Sequence, residues 1–237
     1  MIASILRRSR TALIALLLPL SMSAQAAVDE STARGLTSDL VTMVNAATAV
    51  IGGLQSDING GTAAGKVDPE ALIGGFRTGY AKSAGQAFDE KADGLTGESR
   101  RAFVVALRDT LTKFQPTMTK GGTDAFVPAF FRAELLKRYN TGMRGKVQGY
   151  ATNRDNELIN ADWSVKQVMK GSALVGEVTT LLNAGGMDPV TKRVGDRFMS
   201  YAPMKLGGAC VACHARNGLQ QKEGAFGGAL IAEAWIK

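Results

Sequence analysis

The chain has 237 residues, 45% of them hydrophobic and 21% charged, with a formal net charge of +7, two cysteines and one histidine. That length can bury a self-sufficient core, and the apolar fraction excludes a wholly disordered chain. Two cysteines exclude a disulfide scaffold, and a single histidine excludes a multi-histidine metal cluster or a bis-histidine heme.

The amino terminus carries the three parts of a secretory signal peptide: basic Arg7, Arg8 and Arg10, an apolar run from Leu13 to Leu20, and the small-residue cleavage site Ala24-Gln25-Ala26. The apolar run is short for a bilayer span and contains Pro19. Residues 1–26 are therefore expected to be removed on export to the periplasm. Their loss takes away three arginines and no acid, lowering the formal charge from +7 to +4. The remaining basic residues form no run and no aromatic interleaving, so nucleic-acid binding has no support, and no other stretch approaches transmembrane length.

The mature chain, 27–237, reads as one unit with a helical front (27–140) and a mixed α/β back (141–237). Leu36, Leu40, Met43, Ala47, Val50, Leu54 and Ile58 recur at helical spacing up to Asn59-Gly60-Gly61. A second helix is predicted from Asp68-Pro69, with Asp68 as N-cap, through Leu72, Phe76 and Tyr80, and Phe88 as a further candidate before Asp93-Gly94. A third helix is predicted over 99–114 and a fourth over 124–139, the latter interrupted early by Pro128.

The period then changes. Residues 146–151 alternate as a strand, 153–156 form a turn-rich loop, and Asn160 is expected to cap a short helix through Trp163, Val165, Val168 and Met169. A strand is predicted over 194–204, ending at Pro203. Gly218 to Gly228 reads as loop, and a closing strand over 229–237 places Leu230, Ala232, Ala234 and Ile236 on one side.

Both cysteines and the only histidine lie within Cys210-Val211-Ala212-Cys213-His214. Cys-x-x-Cys-His is the attachment signature of c-type heme. Residues three apart share a helical face, so Cys210 and Cys213 can reach one porphyrin edge as thioethers, with His214 as the proximal iron ligand. A thioredoxin-type pair does not need the histidine, and structural zinc wants a fourth ligand. A plain disulfide leaves the histidine unexplained.

With no second histidine and no spare cysteine, the distal iron ligand falls to methionine, lysine, water or an open position. Of Met43, Met118, Met143, Met169, Met187, Met199 and Met204, the last two are nearest in sequence, and Met204 is the named distal candidate.

The carboxy-terminal layout resembles a family of exported single-heme proteins with a PAS-like fold. The resemblance rests on Tyr201-Ala202-Pro203-Met204 before Cys210 to His214, the glycine-rich Glu223 to Leu230 leading into a final strand, and the segment Asn153 to Trp163. It covers roughly residues 120–237. It implies an α+β fold, a helical N-terminal half packed on a PAS-like mixed or antiparallel sheet, with one heme c in a pocket between the sheet and the 153–163 loop. Arg154 and Arg144 become candidates for propionate pairing. Some members use a cysteine outside the motif as an axial ligand, which this chain lacks, and Ala215 stands where a glycine often follows the motif histidine.

The function expected from residues and resemblance together is a periplasmic monoheme c-type cytochrome, not an enzyme, with an electron-transfer or redox-sensing role. Its partner would be a redox protein or a small diffusible ligand. Two alternatives stay open: a heme-based sensor of nitric oxide, carbon monoxide or oxygen with an open distal site, and a four-helix cytochrome c′-type protein, which Gly207-Gly208-Ala209 before the motif would suit.

Overall fold

The computed structural model describes residues 27–122, 126–152, 158–159, 165–166, 189–216 and 220–237. The fold is α+β. Five helices come first: α1 (Glu30–Gly53), α2 (Gln55–Gly60), α3 (Pro69–Ala84), α4 (Gly94–Lys120) and α5 (Pro128–Gly142). Then follow β1 (Val147–Ala151), β2 (Leu158–Ile159), β3 (Val165–Lys166), β4 (Val190–Val194), β5 (Arg197–Lys205), α6 (Gly208–Arg216) and β6 (Phe226–Trp235). Residues 1–26, expected to be a signal peptide, the expected 153–156 loop and Arg154 lie outside the described residues. No helix among the described residues is long and apolar enough to cross a membrane.

The helix starts follow local chemistry. Asp29 caps α1 by accepting from the Thr32 amide at 2.9 Å, and Asp68 caps α3 by accepting from the Ala71 amide at 2.8 Å with Pro69 behind it. Gly85, at φ 68°, ends α3, so Phe88 lies beyond the helix; its ring still packs edge-on against Phe76 at 4.9 Å. Pro128 opens α5 and does not interrupt it, because the first turn of a helix has no use for that N–H. The predicted 99–114 helix extends at both ends, through Pro116 to Lys120. Val165 lies in a strand paired with β2, where a helix was expected.

β1, β6, β5 and β4 form an antiparallel sheet in that order. Phe198, Ser200 and Ala202 of β5 register against Ala234, Ala232 and Leu230 of β6, and this face meets the helices. One contiguous core runs from Leu36, Leu40 and Met43 of α1 through Phe76, Phe103 and Tyr139 to Phe198, Leu230 and Ala234, joining the helical front to the sheet. The opposite face carries a smaller cluster of Met199, Tyr201, Ala229 and Ile231. There Glu233 accepts from Arg197 at 2.8 Å and from Tyr150 at 3.0 Å.

Two features lock helices to sheet. Ser200 donates to the Thr37 hydroxyl at 2.9 Å across the β5–α1 contact. At the sheet edge, Asn140 of α5 donates to the Gly149 carbonyl and accepts from its amide, both at 2.8 Å, occupying an otherwise open strand edge. Gly149 is required there: a Cβ would meet Leu136 at 2.7 Å and Leu40 at 3.0 Å.

Within the helices, Arg100 of α4 is nearly buried against Asp39 of α1, donating through Nε at 2.9 Å and Nη2 at 3.2 Å. The same Nη2 donates to Tyr80 of α3 at 2.7 Å, and Tyr80 donates to Asp39. Burial, reinforced by Asp39, pushes the Tyr80 hydroxyl up to about 12.

Candidate functional site

The motif lies on α6, between the ends of β5 and β6. The β5 strand kinks at a register shift between Met204 and Lys205, and Leu206 is held by the Ala225 and Gly224 backbone at 2.9 Å each. Val211 donates to the Gly207 carbonyl at 3.0 Å, starting the helix that presents the motif. Gly227 permits this close packing, since a Cβ would meet Leu206 at 2.5 Å.

Cys210 borders a cavity of about 360 Å³, within the range of small-molecule and cofactor sites. One wall is the carboxy-terminal half of α1, where Asn45, Thr48, Ala49 and Gly52 follow each other at three- and four-residue steps. All are small, and nothing lies within 4 Å of where a Gly52 Cβ would stand. The other walls are Pro128 and Arg132 of α5 and Pro203, Met204 and Lys205 of β5.

His214 is half-buried, and its Nδ1 meets Oε1 of Gln221. An amide oxygen only accepts, so Nδ1 is the donor in this contact. A histidine that binds a metal through Nε2 is held in orientation by a hydrogen bond of this kind on its other nitrogen. The side chain of Cys213 is outside the described residues. Among the described residues, no group of three or more His, Cys, Asp or Glu side chains is arranged to hold a metal ion.

Met204 is on the same cavity as Cys210, with its sulfur against Nη1 of Arg132. Met199 lies on the far face of the sheet, and Met43, Met118 and Met143 are in the helical core. Met169 and Met187 are outside the described residues. Arg144 is exposed at the other end of α5 and does not line the cavity. The expected loop wall at 153–163 lies outside the described residues; the walls that are described belong to α1, α5 and β5.

Two polar groups on the cavity were not singled out by sequence. Arg132 is half-buried, its Nε shielded from solvent and without an acceptor. Burial pulls its guanidinium down to about 10, an effect opposed by Cys210. Gln55 is buried, with Nε2 donating to Asn59 at 2.8 Å and Oε1 unpartnered. Of the motif side chains that are described, Cys210 lines this cavity and His214 does not; the bare α1 wall, the Arg132 guanidinium and the unpartnered Gln55 Oε1 suit a group tethered at Cys210 that carries polar substituents. Family models, curated proteins and solved structures were all compared with this chain, and none matches.

Filling the α1 wall tests whether this cavity seats the heme expected from the motif. Gly52→Leu should stabilise the heme-free chain by up to about 1 kcal/mol, because leucine is the better helix former. It should lower the thermal midpoint of the heme-bound protein, because the side chain enters the cavity. Paired thermal melts measure both; shifts of the same sign would detach the cavity from heme binding.

Proposed function

We propose that this chain is a c-type heme protein, holding one heme c through thioethers at Cys210 and Cys213 with His214 as proximal iron ligand. Within that class it is a periplasmic monoheme cytochrome, exported by residues 1–26, that transfers electrons or senses redox state. The observation that carries the reading is the Cys210 to His214 motif on a helix beside a cavity wide enough to seat a ligand, with His214 anchored through Nδ1. The bound heme supplies a one-electron iron centre; the chain's residues set how it is held. Gln221 orients His214, and Gly52, Ala49 and Thr48 leave room along α1.

Kinship with the PAS-like family is proposed on the quoted motifs; an antiparallel sheet with helices against one face is compatible with it. A reaction such as peroxide cleavage is disfavoured, since there is no second histidine to act as distal base.

One observation favours a second reading. The Met204 sulfur lies against the Arg132 guanidinium, so a Met204 that ligates iron has first to leave that contact, and a distal position without it is open to a diatomic ligand. Absorption spectra of the oxidised and reduced protein, with and without carbon monoxide, decide between them. An electron carrier with methionine ligation gives a low-spin spectrum with a methionine–iron charge-transfer band and no response to carbon monoxide. A high-spin spectrum that shifts on adding it overturns that role in favour of ligand sensing.

A further inference from the structure

We propose that Arg132 is an anion-recognition residue of the α6 cavity and that its ligand is a carboxylate. Among the described residues no carboxylate forms an ion pair with Arg132. Among the described residues its Nε has no acceptor, and its Nη1 meets the Met204 sulfur, a weak acceptor. A guanidinium desolvated in this way is costly unless something pairs with it.

The surroundings narrow the partner. Among the described residues the ionisable groups lining the cavity are Arg132, Lys205 and Cys210, and none of the described lining residues is acidic. A Cys210 committed to a thioether, which rests on the function proposed above, carries no charge. The described lining of the occupied cavity then holds two cations and no anion. A planar guanidinium fork matches a carboxylate in two-point contact better than it matches a spherical ion. Gln55, 6% exposed with an orphan Oε1, supplies an acceptor on the same cavity for a water bound to that carboxylate.

Two sources have this chemistry: a propionate of the tethered heme, which rests on the function proposed above, and a free small carboxylate, which does not. The test uses the full exported chain as wild type, R132Q and R132K, with heme stained after denaturation and folding checked by circular dichroism. If the partner is a propionate, R132Q has a lower midpoint potential than wild type, since losing a cation favours oxidised iron, and R132K restores it. If the partner is a free carboxylate, sodium formate raises the thermal midpoint of wild type above an equal-chloride control. R132Q then loses that response, its affinity falling at least about tenfold.

Equal potentials together with equal formate responses in wild type and R132Q overturn the proposal while leaving the heme reading intact. A wild type without heme overturns the heme reading, and the formate titration then decides alone. Should R132Q fail to fold, R132M, unbranched and uncharged, takes its place in both arms.

Discussion

Replacing both Cys210 and Cys213 by alanine is expected to abolish heme staining of the denatured protein, leaving any pigment extractable by acidified solvent. Each thioether is an independent covalent tether, so Cys210→Ala alone should leave a weaker but present stain. His214→Ala should behave differently. Both tethers survive, so the stain persists, but the low-spin spectrum disappears because the iron has lost its proximal nitrogen. The two phenotypes, lost attachment and lost ligation, separate the two roles within a five-residue motif. A stain that survives the double cysteine variant, or a low-spin spectrum that survives His214→Ala, contradicts the assignment. Gln221→Leu should give a milder version of the His214 effect, since it frees the ring without removing it.

The largest structural effect is expected at the Asp39–Arg100–Tyr80 cluster. Asp39→Ala should destabilise the fold by about 3–5 kcal/mol, because it strands the Arg100 guanidinium, whose side chain is 8% exposed. That is a large share of the stability of a typical domain, about 5–15 kcal/mol in all. The double variant Asp39→Ala/Arg100→Met should recover part of the loss, since it removes the stranded charge as well as its partner. Urea denaturation of the heme-free protein measures both. A single-variant loss below about 1 kcal/mol would mean that water reaches the pair and that it contributes as a surface pair does.

The helical front was legible because its burial follows one period. Leu36, Leu40, Met43 and Ala47 all reach the core, and Asp68-Pro69 marks a helix start by its own chemistry. The errors have local causes. Pro128 suggests an interruption because apolar Phe126 and Val127 precede it in the helical pattern, but it stands in the first turn of α5, where a proline costs no hydrogen bond. Phe88 fits the helical spacing, but the left-handed Gly85 turns the chain before reaching it. Val165 pairs across a two-residue ladder too short to show alternation.

The site divides in the same way. The motif is contiguous, so the sequence names its members. The cavity wall is assembled from α1, α5 and β5, and Arg132 meets Met204 across 72 residues of sequence. Nothing local to Phe130-Phe131-Arg132-Ala133 distinguishes a buried cation from a solvated one. Gln55 is equally mute, since only the break in the helix at Leu54 turns it inward.

Intact-mass measurement of the denatured, exported chain tests the central claim most directly. A single species heavier than the mature polypeptide 27–237 by one heme is the predicted result, reduced to polypeptide mass in the Cys210→Ala/Cys213→Ala variant. A wild-type species at bare polypeptide mass, or lighter by the two hydrogens of a Cys210–Cys213 disulfide, would contradict it.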